Sequence, residues 1–171
     1  GGFVISGFVI NGVSDNDNSG RSVSYAGDIN GDGLADLIVG APNHDGNGAD
    51  SGASYVIFGR ANPTTGSSTS FPAIELSNIA AGTGGFVING VSDGDLSGFS
   101  VSHAGDINGD GLDDLIIGAT NDDPNNSQSG ASFVIFGGLG TSATLVSNSP
   151  DTLTGDLTSN QLVGGLGNDT L

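Results

Sequence analysis

Asp28-Ile29-Asn30-Gly31-Asp32-Gly33-Leu34-Ala35-Asp36 sets oxygen-bearing side chains at its first, third, fifth and ninth positions and a glycine at its sixth, then runs into the apolar stretch Leu37-Ile38-Val39. The stretch recurs as Asp106-Ile107-Asn108-Gly109-Asp110-Gly111-Leu112-Asp113-Asp114, followed by Leu115-Ile116-Ile117. Hard cations such as Ca²⁺ take about six to eight oxygen ligands, and a loop offering carboxylates and amides at alternate positions wraps one ion if its sixth residue turns sharply. The expected ligands are the side chains of Asp28, Asn30, Asp32 and Asp36 with the carbonyl of Leu34. In the second copy they are Asp106, Asn108, Asp110 and Asp114 with the carbonyl of Leu112.

An EF-hand loop starts the same way, but it ends on a Glu at position 12 and lies between helices. Position 12 is Val39 in one copy and Ile117 in the other. The runs that follow the last aspartate are β-branched and of strand length, so each loop joins two strands. A plain hairpin turn would account for Asn-Gly and Asp-Gly. It would leave three like charges in one tight loop with no cation to offset them. Two Ca²⁺ sites are therefore expected.

The chain has 171 residues with 32 glycines but only eight Phe and two Tyr, so its core is expected to be thin and built of strands. The formal net charge is −17, and Arg21 and Arg60 are the only Lys or Arg side chains. Nucleic acid and anionic membrane surfaces are excluded as partners on electrostatic grounds. Self-repulsion of this size opposes the compact state unless cations bind. Cysteine is absent, so neither disulfides nor a thiolate zinc site is available. No apolar run approaches the roughly 18 residues of a membrane helix and no basic leader is visible. Methionine is also absent, which suggests a processed product, an excised fragment or an incomplete reading.

Residues 11–60 align without a gap to 89–138, with 36 of 50 pairs identical, which marks a duplicated unit. Each unit reads as a short strand (Gly7–Ile10; Gly85–Ile88), a polar loop, a second strand (Ser22–Tyr25; Ser100–His103) and the acidic loop. An apolar strand ending Gly40-Ala41-Pro42 or Gly118-Ala119-Thr120 follows, and then a strand at 54–59 or 132–137. Tyr25 and Tyr55 both read as core, and little helix is expected because no long segment has a 3.6-residue apolar period.

The Gly-Ala-Pro after the loop and the Phe-Gly closing the next strand resemble the FG-GAP repeat of integrin α-subunit β-propellers and their bacterial relatives. The resemblance covers roughly residues 7–138, and Thr120 departs from it where proline would sit. It implies an all-β fold of two four-stranded antiparallel blades with calcium between the first and second strands, open rather than a closed propeller. The expected organisation is 1–10 as N-terminal strand, 11–83 as the first repeat with a polar linker at 60–70, 84–138 as the second repeat, and 139–171 as a Ser/Thr/Asn-rich irregular tail. Phe71 to Leu76, after the linker, belongs to an insertion expected to be exposed. Gly164 to Leu171 resembles the RTX nonapeptide of exported bacterial proteins, and one copy is too short to stack on itself. Asn125-Asn126-Ser127 and Asn168-Asp169-Thr170 fit the N-glycan sequon, and the linker composition suits O-glycans.

Catalysis finds little support, and the chain is read as no enzyme. His44 and His103 fall at non-equivalent positions of the two units and read as loop or surface residues. The expected function is a calcium-stabilised structural or adhesive module of a secreted, extracellular bacterial surface protein. The alternative is a carbohydrate-binding or accessory module of a larger propeller protein, although Trp is absent. By the repeat alignment Gly7–Ile10 is the closing strand of a blade, and the second blade ends at Gly137 without one, which implies head-to-tail self-association by strand exchange into a filament, with a closed ring, the tail segment Thr144-Leu145-Val146 or further blades of a longer chain as rivals.

Overall fold

Turn chemistry divides the chain into short strands, and the computed structural model describes them over residues 7–61, 72–123 and 129–138. In order they are β1 (Ile10–Asn11), β2 (Ser22–Gly27), β3 (Asp36–Ala41), β4 (Ala53–Ile57), β5 (Ile74–Glu75), the five-residue helix α1 (Leu76–Ala80), β6 (Gly85–Asn89), β7 (Ser97–Gly105), β8 (Asp114–Ala119) and β9 (Ala131–Ile135). The N-terminal Gly2–Ile5, most of the linker, both sequons and the RTX-like tail lie outside the described residues. No helix among the described residues is long and apolar enough to cross a membrane.

The first sheet is antiparallel with order β2-β3-β4-β6, and the second is antiparallel with order β7-β8-β9. Gly85–Asn89 closes the first sheet against β4, the closing place that the repeat alignment gives to Gly7–Ile10, pairing Val56 with Phe86 and Ser54 with Ile88. Four strands were expected in each sheet; the second has three among the described residues. Its edge strands there are β7 and β9.

Alternation of side chains gives each sheet two faces. Ala26, Ile29, Ile38, Val56, Phe86 and Ile88 of the first unit meet Leu115 and Ile117 of the second, and this is the core between the sheets. Close approach needs glycine here: a Cβ on Gly40 would lie 2.0 Å from the Gly98 carbonyl oxygen, and the Ser22 hydroxyl donates to that same oxygen at 2.8 Å.

The opposite face of the first sheet corrects the reading of the insertion as exposed. Ile74, Leu76 and Ile79 are 8%, 0% and 3% exposed and pack with Val39, Tyr55 and Ile57. An apolar face on central strands would otherwise meet water, and the short β5-α1 segment covers it. Ile10 and Val13 join this layer. The expected N-terminal strand is accordingly short: Ile10 and Asn11 pair in parallel with Ile74 and Glu75.

Tyr55 is fully buried, as expected, with its hydroxyl pushed up to about 12, burial being the main cause. Tyr25 is 52% exposed, which corrects its placement in the core. It lies on the edge strand β2, whereas the covering layer packs on β3 and β4.

Candidate metal centres

Each acidic loop spans the gap between the first two strands of its sheet, β2 to β3 and β7 to β8. Gly33 and Gly111, at the sixth position, have φ of +84° and +91°. No atom lies within 4 Å of a Cβ built on either, so backbone conformation and not space requires glycine there.

Inside the loops the side-chain oxygens are turned onto loop amides. Asp28 accepts from the Asp32 amide at 3.0 Å and the Gly33 amide at 2.9 Å, Asn30 Oδ1 accepts from Asp32 at 3.0 Å, and Asp32 Oδ1 accepts from Leu34 at 2.8 Å. The second loop repeats the pattern. Asp106 accepts from Gly109, Asp110 and Gly111, Asn108 from Asp110, and Asp110 from Leu112 at 2.9 Å.

The ninth-position aspartates sit beneath the loops. Asp36 and Asp114 are both 0% exposed. Asp36 accepts from the amides of Ile29 at 3.0 Å and Gly59 at 2.7 Å; Asp114 accepts from Ile107 at 2.7 Å and Gly137 at 2.8 Å. Each carboxylate thus ties its loop to the end of the third strand of its sheet. Burial pushes the Asp36 carboxyl above the usual range, the two amides pull it back, and the neighbouring charges of Asp32 and Asp28 push it up further. Both arginines are occupied elsewhere, Arg21 at 4.2 Å over the Phe99 ring and Arg60 at 5.9 Å over Phe8.

The donors of each loop are oxygens only, which suits a hard cation and not a softer metal. Among the described residues no three Asp, Glu or His side chains converge as a ready chelating group. The expected ligands are therefore brought into one loop with its acidic charge, while in each copy the last of them is set back on main-chain amides. Leu34 and Leu112 take the seventh position of their loops, between the fifth- and ninth-position aspartates.

Sequence reasoning missed how the two loops touch. Asp113 Oδ2 accepts from the Asp28 amide at 2.8 Å, and Asp113 Oδ1 pairs with His103 Nε2 at 2.8 Å. Leu112 lies against Gly31. The His103 hydrogen bond, foremost, and the Asp28 amide hold the Asp113 carboxyl below the usual range. The available signal was that Asp113 stands where the first repeat has Ala35. His103 is more than a loop or surface residue, lying within β7, 5.3 Å from the Tyr25 ring, while His44 stands in the loop between β3 and β4, as expected, and pairs there with the buried Asp17 at 2.9 Å.

Residues 19–57 and 97–135 match the FG-GAP repeat, two windows that contain β2 to β4, β7 to β9 and both loops. The chain is also similar to integrin alpha pat-2 of Caenorhabditis briggsae, 37% identical over 100 residues, which is 58% of this chain and 7% of that protein.

Proposed function

We propose that this chain is a non-enzymatic, calcium-stabilised module of β-propeller type, serving a structural or adhesive role in a secreted bacterial surface protein. The supporting observation is the buried Asp36 carboxylate, pushed up by burial and by the charges of Asp32 and Asp28, with the same arrangement of residues repeated at Asp114. A Ca²⁺ ion at each loop would be held by Asp28, Asn30, Asp32, the Leu34 carbonyl and Asp36, and by Asp106, Asn108, Asp110, the Leu112 carbonyl and Asp114. It would supply the positive charge that the loop lacks. The two FG-GAP matches and the integrin relative favour an extracellular setting and a role in assembly rather than chemistry.

Calcium titration by calorimetry, with thermal melting in excess Ca²⁺ and in chelator, tests the reading. Two equivalents of Ca²⁺ and a melting temperature that rises with Ca²⁺ concentration are expected. Melting curves that superimpose with and without chelator defeat it. The half-exposed Tyr25 ring favours a second reading, a carbohydrate-binding accessory module. That reading requires glycan binding which Tyr25→Ala removes.

A further inference from the structure

Residues 7–15 and 85–93 are the same nine residues, Gly-Phe-Val-Ile-Asn-Gly-Val-Ser-Asp. The second copy forms β6, which makes five antiparallel pairs with β4, and there Phe86 is 7% and Ile88 0% exposed. The first copy makes two parallel pairs with β5, supported by the Ile74 amide donating to the Val9 carbonyl at 2.8 Å and by Asn11 Nδ2 donating to Glu75 at 2.8 Å. Phe8 is 42% and Val9 63% exposed. The two copies have the same strand-forming capacity, and the first uses a small part of it.

The matching acceptor is β9. Its sequence Ala-Ser-Phe-Val-Ile differs from β4, Ala-Ser-Tyr-Val-Ile, by one hydroxyl, yet among the described residues it has no strand on its outer side. The face beside it is open as well: Ile116 is 38%, Val134 39% and Phe136 39% exposed, whereas their counterparts Ile38 and Val56 are 0% exposed under the second sheet. On the donor side Val23 is 67% exposed, while its counterpart Val101 packs against the core between the sheets. Each chain therefore carries both halves of a contact that it makes once internally.

We propose that residues 7–11 are an exchangeable strand that leaves β5 and completes the second sheet of another copy of this chain. The inference rests on the reading of the chain as a repeat module. Moving the β4-β6 register along by one repeat pairs Gly7 with Ile135, Phe8 with Val134, Val9 with Phe133, Ile10 with Ser132 and Asn11 with Ala131. Departure from β5 removes Ile10 from the layer over the first sheet, and the face that carries Ile74, Leu76 and Ile79 is then set toward the Ile116 and Val134 face of the partner. The contact is heterologous, so it propagates head to tail. If the rotation between copies repeats that between the sheets, a ring closes at two to four copies, since propellers have roughly four to eight blades. The exchanged contact lacks the Asp113 to Asp28 link, because Ala35 stands at the equivalent place. With a net charge of −17 on each copy, association is expected to be reversible and stronger at higher salt.

The test is the mass of the full chain by analytical ultracentrifugation in Ca²⁺ over a concentration series, beside Phe8→Asp, which spoils the donor, and Val134→Asp, which spoils the acceptor. Both side chains are part-exposed at home, so circular dichroism should be unchanged in each variant. The expected result is oligomers for the natural sequence and monomers for each variant. An equimolar mixture of the two should give dimers and nothing larger, because one intact donor and one intact acceptor remain. Open chains in place of rings support the same contact. A monomer at every concentration, as when another part of the same chain fills the β9 edge, overturns the proposal. So does a Phe8→Asp variant that assembles like the natural sequence, or a mixture that stays monomeric. Calcium-dependent melting is read separately, so failure of the calcium reading and failure of strand exchange are told apart.

Discussion

Asp36→Ala and Asp32→Ala are expected to separate the structural from the metal-binding role of the acidic loop. Asp36 is fully buried and its two oxygens accept from the Ile29 and Gly59 amides at 3.0 and 2.7 Å. Removing it strands the buried Ile29 N–H and the part-buried Gly59 N–H at about 1–3 kcal/mol each, offset in part by loss of a desolvated charge beside Asp32 and Asp28. The net cost is about 2–4 kcal/mol in chelator, before any metal is considered. Asp32 is exposed and accepts from the Leu34 amide and from Asn30 Nδ2 within its own loop. In chelator its removal should cost less than about 1 kcal/mol, since these bonds are solvated and a like charge disappears. At a Ca²⁺ concentration about 100-fold above Kd, losing one site should cost a further 2.7 kcal/mol or so in either variant. Urea denaturation of both variants and the natural sequence, in chelator and in Ca²⁺, measures the four differences. The reasoning is refuted if Asp36→Ala costs under about 1 kcal/mol in chelator, or if Asp32→Ala costs the same in both media.

Gly40→Ala should destabilise by at least about 2 kcal/mol, because its Cβ would meet the Gly98 carbonyl oxygen at 2.0 Å; Gly118→Ala meets only Ser100, chiefly its hydroxyl at 2.5 Å, and should cost less by denaturant titration. Leu76→Ala, at a fully buried position in α1, should cost about 2–5 kcal/mol in the same assay, whereas an exposed insertion would tolerate it. Asp113 has its carboxyl held below the ordinary value of 3.8, so the stability it adds is present above that value and lost as pH falls through the lower folded-state value. Asp113→Asn should therefore flatten the acid limb of a stability-against-pH curve, and an unchanged limb would count against the His103 and Asp28 contacts.

The strand pattern, the repeat and the turn chemistry of the loops were legible in the residues, because they are set by short-range periodicity and by glycine at a left-handed position. Gly33 and Gly111 turn as their place in the loop requires, and β3, β4, β8 and β9 fall on the apolar runs. Local sequence could not say which faces would be covered. Ile38 and Ile116 have nearly identical neighbours, yet one is 0% and the other 38% exposed, since only the first has a second sheet against it. Tyr25 and Tyr55 both lie in strand patterns and differ because the layer formed by β5 and α1 reaches β4 and not β2. The Asp113 bridge was hidden because a charge in a loop does not reveal what lies across from it. The sharpest case is Gly-Phe-Val-Ile-Asn, which makes five antiparallel pairs at 85–89 and contributes two parallel pairs at 7–11. A strand's sequence determines which side chains it presents on each face. Its partner is decided by which sheet edge the rest of the chain leaves within reach.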